Sequence, residues 1–507
     1  MTGLRIRSGA PFPLDRVPVH GAAAGRAAAI AARDRGERIV AMFGCDGLVE
    51  AALRIFLVTA DDGEGALHVL AFDVARSPGI YDCLTSEWTE AHLFEREIAE
   101  QFGIVPEGHP WMKPVRGAPP LSGRDLFAPE AGARTRLEAY PFLRSASEEM
   151  HEVGVGPVHA GIIEPGHFRF LCHGESVLHL EISLGYQHRG VERRLLGGPD
   201  AGSLGRMESV AGDTVIGHGY AYCRTIEGLS ATTTTARAAA IRCLALELER
   251  CSNHVGDLGA LANDVGFLPA AAWFGRLRGE FLNLLMELCG NRYGRGLLTT
   301  GGVRFDLDAT MARDFTTRLA KAKEDFANIA EVLFRKPSVM ARFDGAGRVS
   351  REDAEMLGLV GPAGRASGCT RDVRKDFAHG AYRFVHLPVA LGETGDVAAR
   401  ALVRRTETER AIDFLVEQIA SLPPGPLAAA LKPAPAATGC VSLVEGWRGE
   451  IAHAAVTDSA GRLLRYKVVD PSFHNWTGLA LALRGQEISD FPLCNKSFNL
   501  SYAGHDL

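Results

Sequence analysis

At 507 residues the chain is long enough for roughly two to four domains. Its 55 Lys and Arg nearly balance 61 Asp and Glu, for a formal charge of −6, which excludes the basic footprint of a nucleic-acid binder and a polybasic membrane surface. No apolar run approaches the roughly 20 residues of a membrane helix, no signal-peptide pattern is present, and the ten cysteines include no CxxC pair, so a soluble chain with reduced core thiols is expected.

The Ala-rich stretch "GAAAGRAAAIAARDRGER" reads as a helix opening a folded domain. From about Arg38 to Ala75, apolar stretches alternate with turn residues and "DDGEG" supplies a hairpin turn, the pattern of a small α/β unit. "TSEWTEAHLFEREIAEQFGI" predicts a helix capped by Ser86 and ended by Gly103. The Pro/Gly-punctuated residues from about Leu121 to Val155 read as a linker.

Beyond it, "FRFLCHGESVLHLEISLGY" predicts two strands around a His-Gly turn. "ARAAAIRCLALELERCSNHVGDLGALANDVG", "WFGRLRGEFLNLLMELCGNRYG" and "MARDFTTRLAKAKEDFANIAEVLFRK" carry helical apolar periodicity. "GCVSLVEGWRGEIAHAAVTDSAGRLLRYKVVDPSF" returns to strand-like alternation. The fold class that follows is α+β, a small N-terminal α/β domain followed by a mainly helical bundle with β decoration. Glu249 and His254 lie five apart on a helix, too far around to act as paired zinc ligands. No phosphate-cradling glycine loop and no dinucleotide fingerprint occurs, so nucleotide or NAD binding by this chain is unsupported.

"FEREIAEQFGIVPEGHP" resembles the 30-kDa subunit of respiratory complex I. From "GPVHAGIIEPGHFRF" through "LGYQHRGVERRL", "LELERCSNHVGDLG" and "GPAGRASGCTRDVRKDF" to "YKVVDPSFHNW", the chain resembles the complex I 49-kDa subunit. It is closer still to the large subunit of energy-converting nickel-iron hydrogenases of the formate hydrogenlyase and hydrogenase-4 type. The resemblance implies a 30-kDa-like domain over residues 1–120, a linker over 121–155 and a 49-kDa-like domain over 156–507.

In that family two cysteine pairs hold nickel, in an E-R-x-C-G-x-C-x-x-x-H segment and a D-P-C-x-x-C ending, and thiolates suit so soft a metal. Aligning "ESVAGDTVIGH" by Glu208, Gly212 and His218 puts Ala211 and Thr214 in the first pair. Aligning "KSFNLSYAGHDL" by Ser497 and Asp506 puts Ser501 and Gly504 in the second. With all four sulfurs gone, nickel-iron hydrogen chemistry is not expected. In the complex I branch the vacated cavity holds the quinone head group against a histidine and a tyrosine; here the matching positions are His167 and Gly212.

His159 and His167 flank the "EPG" turn, either meeting a quinone or another acceptor, or tying the loop to its strands. Asp213 is either a proton carrier in a dry cavity or one half of a salt bridge. Arg365 either orients a buried carboxylate such as Asp213, faces a partner's cluster ligands, or is structural, together with Asp372 and Arg374. Arg189, Glu192 and Arg193 line a polar cavity or form a buried ion-pair network.

The resemblance implies a subunit of a membrane-associated oxidoreductase complex, peripheral on the cytoplasmic face, that couples electron transfer to ion translocation. Its expected partners are an iron-sulfur subunit resembling the complex I 20-kDa subunit, which would carry the cluster, and membrane ion-translocating subunits. Quinone is the candidate cofactor, and no nucleic acid is expected. The alternative is a non-catalytic structural subunit derived from a hydrogenase large subunit.

Overall fold

The computed structural model describes residues 3–129, 135–161 and 163–507. Part of the expected linker, residues 130–134, lies outside them, as does Ile162 of the "GIIEPG" loop.

Strands β1 (Leu4–Ile6), β2 (Pro11–Pro13) and β3 (Val19–Gly21) precede helix α1 (Ala22–Asp34) and strands β4 (Arg38–Cys45), β5 (Ala52–Asp61) and β6 (Ala66–Ala75). These give a five-stranded sheet in the order β1-β6-β5-β4, with β3 added parallel to β6. β5 and β6 pair from Ala52 with Ala75 down to Asp61 with Ala66, so "DDGEG" does form the hairpin turn.

The helix expected from Ser86 starts later, as α2 (His92–Phe102), after a 3-10 turn over Thr89–Ala91. Its own Glu95 reaches back to accept the amides of Leu84 and Thr85 at 2.8 and 3.0 Å, which holds that stretch out of the helix. Gly103 ends the helix at φ 68, a left-handed conformation that costs glycine little.

The described residues among 121–150 are irregular, but β7 (His151–Val155), inside the expected linker, joins β8 (His167–His173) and β9 (Ser176–Ser183) in one sheet. The helical body follows: α3 (Val215–Leu229), α4 (Ala236–Asp264), α5 (Leu268–Cys289), α6 (Ala309–Arg335) and α7 (Val397–Ala420). Side chains of Thr235, Asp308 and Asp396 cap α4, α6 and α7, and Gly290 at φ 78 ends α5. Strands β10 (Thr438–Gly446), β11 (Gly449–Thr457) and β12 (Leu463–Val469) then lead into α8 (Pro471–Ala482) and the short α9 (Tyr502–Asp506).

β10 and β11 are buried along their whole length, so the strand-like region is covered on both faces and not half-exposed. One cover is the N-terminal half. β2 pairs onto β10, and one apolar core contains Ile39, Phe43 and Phe94 together with Leu443, Ala454 and Phe473. Buried ion pairs cross the same seam: Arg38 to Glu450 at 2.6 Å and Lys467 to Glu97 at 2.6 Å. A boundary near residue 120 therefore divides the sequence without dividing the core. All ten cysteines are buried free thiols, and among the described residues no helix is long and apolar enough to cross a membrane.

Candidate functional site

The turn over residues 211–214 enters α3, whose first amides need acceptors. Glu249 on α4 supplies them, accepting from Ile216 at 2.7 Å and Gly217 at 3.1 Å. Burial pushes that carboxyl up to about 8 despite the two amides. Opposite, the tight β10–β11 turn presents Trp447 and Arg448. Arg448 forks onto Asp213 at 2.6 and 2.8 Å, donates to the Asn499 carbonyl at 2.5 Å, and stacks 3.9 Å from the Trp447 ring centre.

These elements enclose a cavity of about 320 Å3, whose walls include Glu164, Gly212, Asp213, Arg448, Ser501 and Tyr502. Gly212 opens onto it: a Cβ built there meets nothing within 4 Å. Glu164 accepts from the Tyr502 amide at 3.1 Å, and burial raises its carboxyl above the usual range while Arg448 pulls it back. A larger, mostly apolar cavity of about 370 Å3 lies against His92, His109 and His179 and holds none of the residues singled out by sequence.

Of the four positions aligned with nickel ligands, none offers a sulfur. Thr214 Oγ1 accepts from Trp447 Nε1 and Arg448 at 3.1 Å each, and Ser501 Oγ accepts from the Gly504 amide at 2.9 Å. Ala211 is buried, and a Cβ on Gly504 would come 2.6 Å from the Asp470 carboxylate. Nickel does not fit this donor set. Behind it lies a buried polar chain. His218 Nε2 donates to Asp470 at 2.9 Å, His218 Nδ1 lies 3.1 Å from His453 Nε2, and His453 Nδ1 lies 2.9 Å from the Tyr466 hydroxyl. Burial holds His453 well below the usual histidine range, hence neutral.

Gly212, Asp213 and Ser501 thus meet at one cavity, whereas His159, His167 and Arg365 are not among its walls. His159 Nε2 donates to the Gly166 carbonyl at 2.9 Å and His167 Nδ1 to that of Gly156 at 3.2 Å, stitching the loop closed. Arg365 does not orient Asp213, because Arg448 occupies that carboxylate. It is 1% exposed and pairs with Glu407 at 2.8 Å and Glu445 at 2.7 Å, beside Asp372 and Arg374. Glu192 joins a buried network with Lys467 and Arg465, Arg189 donates to the carbonyls of Ser209, Val210 and Ala503, and Arg193 is exposed.

Sequence reasoning passed over Glu164 and Arg448. In this cavity burial raises the Glu164 carboxyl, while Asp213 is ion-paired with Arg448. Its only signal was an acid set between two histidines in "HAGIIEPGH"; for Arg448 it was an arginine after a Gly-Trp pair in a hairpin turn.

A family model for the 49 Kd subunit of the respiratory-chain NADH dehydrogenase matches residues 264–439, and one for its 30 Kd subunit matches residues 32–118. The chain is 31% identical over 350 residues to the carbon monoxide-induced hydrogenase of Rhodospirillum rubrum, covering 69% of this chain and 97% of that one. It is 28% identical over 471 residues to formate hydrogenlyase subunit 5 of Escherichia coli, covering 89% and 81%. With an NADH-quinone oxidoreductase polypeptide of Bacteroides thetaiotaomicron it shares 29% identity over 437 residues, covering 80% and 81%.

Proposed function

The chain belongs to the family that joins the 49 Kd subunit of the respiratory-chain NADH dehydrogenase to related hydrogenases, with the 30 Kd subunit's match on the same polypeptide, and on that premise we propose that it is a subunit of a membrane-associated oxidoreductase complex. It receives electrons from a cluster on an iron-sulfur partner resembling the complex I 20-kDa subunit and passes them to an acceptor at the cavity beside Gly212. Membrane subunits would couple this to ion movement, with the chain docked on their cytoplasmic side.

The observation that carries this reading is the cavity itself, kept open at the segment where nickel or quinone sits in the resembled families, with a raised carboxyl inside it. Glu164 is suited to hold a proton for the acceptor, and the Asp213–Arg448 pair fixes the wall against which the acceptor lies. The position matched to the complex I tyrosine is Gly212, and His167, whose Nδ1 donates to the Gly156 carbonyl, is not among the cavity walls, so those two positions do not supply the head-group contacts of complex I, although Tyr293 and Tyr502 line the same cavity. The second reading, a scaffold that no longer catalyses, is favoured by Thr214 and Ser501 spending their hydroxyls on hydrogen bonds within the protein.

Nickel and iron analysis of the natively purified complex, combined with electron transfer to a soluble quinone, tests the proposal. Iron without nickel, with turnover that falls in Glu164→Gln, supports the redox subunit. Nickel at one per chain refutes the reading of the four replaced positions. Neither metal nor turnover leaves the scaffold.

A further inference from the structure

The charges around the 320 Å3 cavity do not cancel. Its walls carry Arg278, Arg448 and Lys496 against Asp213 and Glu164. Arg448 is spent on Asp213. Among the described residues Arg278 and Lys496 form no ion pair or hydrogen bond, Arg278 Nε is buried without a partner, and Lys496 acts only at longer range on Asp264. Burial raises the Glu164 carboxyl, which reduces its capacity to balance the two cations. A half-buried guanidinium with an unused donor is costly to leave dry, and it presents a planar fork.

We propose that this cavity binds a small carboxylate, held between the Arg278 guanidinium and the Lys496 ammonium, with its chain directed to the open space at Gly212. A carboxylate matches the arginine fork with two parallel hydrogen bonds, which a neutral quinone carbonyl cannot do. The volume is at the lower end of small-molecule sites, enough for a compact acid. Asn495 on the same wall adds a further polar side chain beside the two cations. The inference concerns binding alone and requires no electron transfer, so it can fail while the redox proposal stands, and the reverse.

Isothermal titration of the full-length chain in its purified complex, with acetate and succinate as probes and chloride at equal ionic strength as control, is the test. Saturable carboxylate binding is expected, weakened at least tenfold in Arg278→Gln and again in Lys496→Gln. Both residues lack protein partners, so neither variant strands a buried charge, and thermal melts identical to the parent are the folding control. Absence of saturable binding, equal competition by chloride, tighter binding of inorganic phosphate, or affinity unaltered by both substitutions overturns the proposal.

Discussion

Replacing Arg365 with methionine separates a structural arginine from one that serves the cavity. The side chain is 1% exposed and bridges Glu407 and Glu445 at 2.8 and 2.7 Å, while also donating to the Arg371 carbonyl at 2.9 Å. Removing one member of a buried charge cluster leaves the others uncompensated, at about 3–5 kcal/mol. The loss has a definite pH sign. Burial opposes the charge on Glu407, yet Arg365, ahead of His254 and Arg374, holds its carboxyl well below the usual range, so its contribution is present above the unfolded pKa and shrinks without Arg365. Burial pushes Glu445 up to about 7 with Arg365 pulling the other way, so its contribution is greatest below the ordinary carboxyl range and is lost as pH rises to about 7. Without Arg365 both carboxyls take up protons more readily, and the variant is penalised most at pH 8 and least near pH 5.5. Urea unfolding followed by tryptophan fluorescence should show a midpoint lowered on the order of 1 M at pH 8 and by clearly less at pH 5.5. A penalty independent of pH, or one that grows on acidification, refutes the charge-cluster account. A loss of turnover with unchanged stability refutes the structural role.

In the assembled complex, Glu164→Gln should lower turnover about 100-fold, at the lower limit for a lost proton carrier, and remove the limb of the pH profile set by its raised carboxyl; unchanged turnover rules that role out. Restoring cysteine at 211, 214, 501 and 504 together should leave nickel substoichiometric by elemental analysis, since a Cβ at Gly504 lies 2.6 Å from Asp470; one nickel per chain contradicts this. Lys467→Met removes a buried cation 2.6 Å from both oxygens of Glu97 and 3.2 Å from Glu192, leaving Glu97 to Arg116 and Glu192 to Arg465, at a cost of about 3 kcal/mol, the lower end for a broken buried pair. Hydrogen exchange should show β4 and β12 losing protection together, and loosening of one without the other argues against a shared core.

Local signals in the sequence were read well where the cause is local. Gly103 ends its helix because a left-handed residue is needed there, and "DDGEG" turns because its residues tolerate tight backbone. The late start of α2 was hidden because it depends on Glu95 folding back across its own first turn. Gly212, Asp213 and Ser501 could be placed at one cavity by family motif alone, but partner choice could not. Arg448 and Arg365 are both arginines beside candidate carboxylates, and only the tight β10–β11 turn decides that Arg448 takes Asp213. The seam between halves was invisible for a similar reason: Arg38 and Glu450 are an ordinary surface pair of residue types until two sheets close over them.

That seam also sets a timetable for synthesis. β4 ends at Cys45, but β10, which opens the hairpin that completes its core, begins at Thr438. At about 5–20 residues per second, roughly 20–80 s pass during which an apolar strand, and an Arg38 that has Asp62 but not yet Glu450, wait uncovered on the ribosome. A chaperone that recognises exposed strand edges, or an early partner subunit that shields them, would act on the first hundred residues of the nascent chain well before the cavity exists.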